Sequence, residues 1–227
     1  MSGNMATIII QVTVAAVMCV TLAHSAPSHV VAMTTGDVTA AKPVNMTVYY
    51  ESLCPGCNFY IHNTLSPLWP KIKDLNLMTV TLLPFGNADE KKIGFQWEFH
   101  CQHGANECLG NIVEACVLHY YPDTSKQLEI IDCFNNNFFK DLGQDWKKSL
   151  KSCNSTGVDV PKISTCASGH EGNNLEHDIA SRTGPHSYTP YVMLNGTPND
   201  RAIENLLEEV CRVYTGPKPD ICKQAHI

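Results

Sequence analysis

The chain has 227 residues, 44% hydrophobic and 17% charged, with eleven cysteines. That length suits one or two domains with a true core, and the ordinary hydrophobic content excludes wholesale disorder, collagen and coiled coil. A formal net charge of −6, with 16 basic residues scattered along the chain, argues against a nucleic-acid partner.

The first element is an apolar run from Ile8 to Leu22, followed by Ala23-His24-Ser25. Small residues at 23 and 25 fit a secretory signal peptide, residues 1–25, cut before Ala26. The run is about 15 residues, short of the ~20 needed to span a bilayer, and no later stretch is long and apolar enough. No Lys or Arg precedes Lys42, so the leading end carries only its α-amino charge. Residues 26–42 read as a flexible leader or pro-segment. Cleavage removes Cys19 and leaves ten cysteines, an even number, for an oxidising compartment. Glycosylation sequons at Asn45, Asn154 and Asn195 agree with a lumenal route. The last residues are not an ER-retention signal.

Val44 to Glu51 is rich in β-formers and reads as a strand. Cys54-Pro55-Gly56-Cys57 follows, then helical spacing over Asn58 to Leu68, with Pro55 suited to a helix start. Met78 to Phe85 is a second strand, so a right-handed parallel strand–helix–strand unit is expected. A long middle section, residues 88–184, holds expected helices at Asn111–Tyr121, Lys126–Asn136, Asp141–Ser152 and Leu175–Arg182, with a turn over Asn154 to Pro161. Tyr191 to Leu194 is a strand, Asn195-Gly196 a turn, and Arg201 to Tyr214 a final amphipathic helix. The order matches an α/β, thioredoxin-like fold with an inserted helical, disulfide-stapled subdomain, the arrangement of DsbA-like proteins. It is expected over residues 43–214, with 215–227 a flexible tail or propeptide.

A Cys-x-x-Cys pair can bind zinc, form a structural staple or carry redox chemistry. Zinc needs two further ligands, and no second such pair exists, although Cys101, His103 and Cys108 form a grouping. The pair sits after a strand and opens a helix, which is the redox placement; free N–H groups and the helix dipole there stabilise a thiolate. Cys54, the more exposed, is expected to attack a substrate disulfide and Cys57 to resolve the mixed disulfide. Thr189-Pro190, directly before a strand, fits the cis-proline that borders the dithiol in thioredoxin-like folds and pairs with extended substrate. No glycine-rich dinucleotide fingerprint is present. No bound cofactor or metal is therefore expected, and electrons are expected from an external thiol such as cysteine or glutathione.

Residues 101–116 contain Cys101, Gln102, His103, Gly104, Glu107, Cys108, Asn111 and Cys116 at fixed spacing. This pattern resembles the signature of the gamma-interferon-inducible lysosomal thiol reductase family. Similarity extends to Tyr49–Cys54, Pro84–Ala88, Trp97–Phe99 and Val210–Gly216. The resemblance implies a lysosomal or endosomal enzyme, delivered through the secretory pathway and in part secreted, that reduces protein disulfides at acid pH with Cys54 and Cys57. It implies a role in unfolding endocytosed proteins, for antigen processing or innate defence. Work near pH 5 needs a strongly lowered Cys54 pKa, to below about 6, because a thiol of pKa ~8.5 is only about 0.03% ionised there. His62 or His103 could contribute if close.

Eight cysteines remain: Cys101, Cys108, Cys116, Cys133, Cys153, Cys166, Cys211 and Cys222. Four structural disulfides are expected, with the pairing open. On one helix Cys108 and Cys116 would lie about 12 Å apart, beyond the ~7 Å a bridge allows. The signature therefore reads as pinning the insertion to its neighbours. Cys222, in the proline-rich tail, could instead link two precursor chains. His103 is expected to make a hydrogen bond at a loop or helix start.

Overall fold

The computed structural model describes residues 41–223 and Ala225; the expected signal peptide with Cys19, and nearly all of the expected leader, lie outside the described residues. β1 (Val44–Tyr50) is the centre of a four-stranded sheet of order β2-β1-β5-β6. β2 (Met78–Pro84) runs parallel to it, while β5 (Tyr191–Leu194) pairs antiparallel on its other side and β6 (Thr197–Pro198) extends β5. Val48 stands opposite Leu82 on one side and Val192 on the other. All three are buried, which is why these strands read as apolar runs.

The β1–β2 crossover is helical. α1 (Pro55–Tyr60) passes through a wide turn at Ile61–Leu65 into α2 (Ser66–Ile72). In that turn the Ser66 N–H reaches back five residues to the Ile61 carbonyl. Pro67 has no N–H to give, and its ring crowds the preceding turn, so a local widening relieves the clash.

The inserted section is less purely helical than expected. It opens with a hairpin, β3 (Asp89–Ile93) and β4 (Gln96–His100), where no strand was expected. The first of these is Asp-Glu-Lys-Lys-Ile, mostly exposed, so it lacks the apolar alternation that marks a half-buried strand. Helices follow: α3 (Ala105–Tyr120), α4 (Thr124–Lys140), α5 (Trp146–Lys151), α6 (Val160–Ala167) and α7 (His170–Arg182). α6 replaces part of the expected turn. Asp159 caps it by accepting the Lys162 N–H, and Pro161 sits in its first turn, where a proline is tolerated. α5 starts later than expected because Leu142 and Gly143 both take positive φ before Asp145 caps it. The hairpin docks on α7: Asn173 bonds both backbone groups of Trp97, at 2.9 and 2.7 Å, and the Trp97 ring stacks on His177 at 3.7 Å.

The expected last helix divides into α8 (Arg201–Glu204) and α9 (Leu206–Val213), broken at Asn205, where the backbone leaves helical geometry. The tail is tied down rather than loose. α10 (Asp220–Lys223) places Cys222, 3% exposed, in a disulfide with Cys211 of the same chain. That is the fourth of the expected structural disulfides, and it takes the place of the alternative in which Cys222 links two chains. The other bridges are Cys101–Cys108, Cys116–Cys166 and Cys133–Cys153, so Cys108 and Cys116 are indeed not partners. One continuous apolar core joins Met46, Val48 and Leu82 of the sheet to Phe134, Phe138 and Ile163 of the insertion. No helix among the described residues is long and apolar enough to cross a membrane.

Candidate active site

The dithiol lies where β1 hands over to α1. Cys54 is the residue before the helix, with extended backbone, and its sulfur accepts the N–H of Cys57 at 3.3 Å. Both cysteines are free of disulfides, and both are buried, Cys54 at 6% and Cys57 at 0% exposure. Cys54 keeps the more accessible sulfur, but it is less exposed than its place at a helix start implies.

Thr189-Pro190 is cis and abuts the pair. The Cys54 sulfur lies 3.9 Å from the Thr189 carbonyl, and the Thr189 hydroxyl donates to it at 3.6 Å. The expectation concerned the backbone at this position; the hydroxyl is an addition that only the fold brings into view. Its oxygen also lies 3.4 Å from Oε2 of Glu51, at the end of β1.

Glu51 is fully buried. Its Oε1 accepts the Asn87 N–H at 2.7 Å, and its Oε2 lies 3.5 Å from Nδ1 of His103. Gly86 makes room for it, since a Cβ there would come within 2.4 Å of Glu51 Cγ, and its φ of +55° suits glycine besides. His103 in turn bonds Glu107 twice, through its backbone N–H at 2.9 Å and Nδ1 at 2.6 Å. The expected helix-start hydrogen bond of His103 is therefore present, and it holds Nδ1 between Glu107 and Glu51. His62 pairs instead with Asp132, at 2.8 Å.

The signature residues converge on this turn. Cys101–Cys108 closes the loop that carries His103. That bond also excludes the zinc grouping of Cys101, His103 and Cys108. Gln102 accepts from the Asn87 side chain at 2.8 Å, and Asn111 accepts the Ser52 N–H at 2.9 Å. The Ser52 hydroxyl donates to the Glu107 carbonyl at 3.0 Å. The signature thus pins the insertion specifically to the turn that presents the dithiol. Glu51, His103 and Glu107 place ligand atoms within 4.8 Å of one another and could hold a metal ion. Their mutual hydrogen bonds, and those from Asn87 and Thr189, already account for the arrangement.

These neighbours separate the two thiols. The Cys57 side chain, hydrogen-bonded to the Cys54 sulfur, is the largest influence lowering the Cys54 pKa to about 6; burial opposes it, and the Cys57 N–H, the Thr189 hydroxyl and the His103 charge reinforce it. Burial pushes the Cys57 thiol up, and the Cys54 charge adds to this. Burial also raises Glu51 to about 7, with the Glu107 and Cys54 charges acting the same way against the Asn87 N–H and His103. One sulfur is ionised readily and its partner keeps its proton, the division that thiol–disulfide exchange requires. Beside Pro55 a groove of about 240 Å³ is lined by Phe59, His62, Asn136 and Phe139, with Phe59 67% exposed. The sequon residues Asn45, Asn154 and Asn195 are all exposed.

Several known proteins share this fold. The reduced form of a disulfide bond oxidoreductase, DsbG, from Mycobacterium tuberculosis matches with a TM-score of 0.54 at 20% identity, over 81% of this chain and 83% of its own. Reduced DsbA from the same organism matches at 0.54 and 17%, over 80% and 89%. In sequence, the chain is 38% identical over 190 residues to the gamma-interferon-inducible lysosomal thiol reductase of Mus musculus, covering 80% of this chain and 73% of that one. The protein of that name from Carassius auratus is 36% identical over 197 residues, covering 81% and 74%. The family model described as gamma interferon inducible lysosomal thiol reductase matches residues 45–156, the span from β1 through the signature to α5. With the signature residues gathered around a Cys-x-x-Cys turn on a thioredoxin-like frame, the chain belongs to the gamma-interferon-inducible lysosomal thiol reductase family.

Proposed function

We propose that this protein reduces disulfide bonds of other proteins at acid pH in a lysosomal or endosomal compartment reached through the secretory pathway, aiding their unfolding and proteolysis in antigen processing or innate defence. Cys54 is the nucleophile and Cys57 the resolving thiol. The thiolate of Cys54 attacks one sulfur of a substrate disulfide, giving a Cys54–substrate mixed disulfide and releasing the other substrate sulfur. Cys57 then displaces the substrate from Cys54, leaving a Cys54–Cys57 disulfide that an external thiol such as cysteine or glutathione reduces. The backbone at Thr189-Pro190 receives extended substrate. Phe59 and Phe139 offer apolar contact to residues flanking the target bond, surface that an unfolding protein exposes.

The observation that carries this reading is the setting of the Cys54 sulfur at the head of α1, where the Cys57 N–H at 3.3 Å and the Thr189 hydroxyl at 3.6 Å meet it and its pKa is lowered to about 6. That value leaves about a tenth of Cys54 ionised at pH 5, where an unperturbed thiol of pKa ~8.5 has about 0.03%. The test is insulin reduction by wild type and Cys54→Ser at pH 5 and pH 7. Wild type is expected to be active at both and the variant inactive; equal activity would end the enzymatic reading.

One observation favours a second reading, that of a secretory-pathway oxidase or isomerase. A stabilised thiolate stabilises the reduced form, and that makes a dithiol more oxidising. The redox potential against glutathione, measured at pH 5 and pH 7, separates the two directions.

A further inference from the structure

We propose that Glu51 is the proton store of the dithiol, exchanging a proton with the two sulfurs through the hydroxyl of Thr189. This rests on the reductase reading and deepens it. Resolution by Cys57 requires its sulfur to lose a proton while fully enclosed, so that proton must pass to a protein group. The Thr189 hydroxyl is the group in reach. It stands 3.6 Å from the Cys54 sulfur and 3.4 Å from Glu51 Oε2, and its influence on Cys57 favours the thiolate of that residue as well. A hydroxyl has one proton and two lone pairs, so it can accept from the carboxyl while donating to sulfur, then reverse.

The surroundings of Glu51 suit a store. The Asn87 N–H holds Oε1, which leaves Oε2 facing Thr189 on one side and His103 on the other. His103 is a third exposed, at 32%, and connects the buried carboxyl to solvent. The charged and titratable groups around Glu51 are Cys54 and Cys57 at the head of α1, and His103 and Glu107 at the start of α3. Burial and the Glu107 and Cys54 charges bring Glu51 to about 7, so at acid pH it rests protonated, has a proton to give, and takes one back once it is ionised.

The cycle balances. The Cys54 thiolate bonds one substrate sulfur and the substrate S–S bond breaks. The departing thiolate receives the Glu51 proton by way of Thr189 and leaves as a thiol, with Glu51 now ionised. The Cys57 thiol passes its proton back along the same hydroxyl to Glu51, and its sulfur bonds Cys54 as the Cys54–substrate bond breaks. The second substrate thiolate takes a proton from water. Two electrons pass from the dithiol to the substrate, and Glu51 ends as it began. The Glu51 carboxyl bonds neither sulfur and acts through Thr189, so it is a positioning and proton-holding group.

The test is single turnover of the reduced full-length protein with insulin, acid-quenched and read by mass for the enzyme–insulin mixed disulfide. Cys57→Ser marks complete trapping. In Glu51→Gln, which keeps an acceptor for the Asn87 N–H, the mixed disulfide is expected to persist roughly a hundredfold longer or more, in line with general acid–base contributions. The inflection near pH 7 in the wild-type resolution rate is expected to vanish in that variant. Thr189→Val should behave likewise and Thr189→Ser should stay near wild type; that pair decides the matter if Glu51→Gln does not fold. Resolution at wild-type rate in Glu51→Gln and Thr189→Val, or Thr189→Ser as slow as Thr189→Val, would overturn the proposal. A wild type unable to reduce insulin would instead overturn the reductase reading.

Discussion

Cys57 gives its backbone N–H to the sulfur of Cys54 at 3.3 Å, one turn into the helix that Cys54 opens. Its side chain is also the strongest influence holding the Cys54 thiolate, while Cys57 itself is buried and keeps its proton. The spacing of two residues between them is what allows this: one helical turn returns the second side chain to the first. A pair so placed has one sulfur readied as a thiolate and the other held protonated, the division that the proposed roles of nucleophile and resolving thiol need.

Alkylation should expose that asymmetry. Iodoacetamide labelling of reduced protein is expected to reach half-maximum at Cys54 near pH 6, with Cys57 unlabelled across the neutral range. Cys57→Ala removes the largest lowering influence and should move the midpoint upward. His103→Gln, which removes a smaller one, should move it less. A wild-type profile still climbing between pH 7 and 9 contradicts the assignment.

Stability should favour acid. Glu114 is buried, receives a hydrogen bond from the Tyr50 hydroxyl, and is raised by burial to about 8. Glu176 is buried with no hydrogen-bond partner for either oxygen among the described residues, and burial pushes its carboxyl well up. Both are neutral when folded and ionise on unfolding once the pH exceeds their ordinary 4.5. Unfolding then releases protons, so stability is greatest below about 4.5 and falls as pH rises toward 8, by about 1 kcal/mol per unit for each carboxyl. Urea unfolding at pH 5 and pH 8 measures the slope. The double variant Glu114→Gln/Glu176→Gln should leave only the smaller slope that Glu51, raised to about 7, contributes, and an unchanged slope would assign the effect elsewhere.

How far the sequence could be read followed from which signals were local. β1, β2 and β5 are buried runs, and Cys54–Cys57 and Thr189-Pro190 occupy fixed places relative to them, so both the frame and the dithiol were legible. The β3–β4 hairpin was hidden by its exposed charged first strand, and α6 by a proline that serves as a helix start. The disulfide partners of Cys116 and Cys133 are separated by 50 and 20 residues, and spacing alone excluded only one pairing. Glu51 and Glu107 stood inside the matching motifs, but nothing local brings them together. Only the docking of α3 against the β1–α1 turn sets both carboxylates around His103.

That docking rests on Gly110 of α3. A Cβ there would lie 2.3 Å from the Ser52 hydroxyl oxygen and 2.6 Å from the Phe138 ring. On an exposed helix, alanine in place of glycine gains about 1 kcal/mol. Here overpacking should dominate, with a net loss of about 1–3 kcal/mol, because Ser52 is fixed through its bonds to Asn111 and Glu107 and cannot yield freely. Displacing Ser52 shifts the turn that presents Cys54, so Gly110→Ala should slow insulin reduction as well as lower the urea midpoint. A variant as stable and as active as wild type would show that α3 can withdraw from the turn without cost, and that the close approach does not position the dithiol.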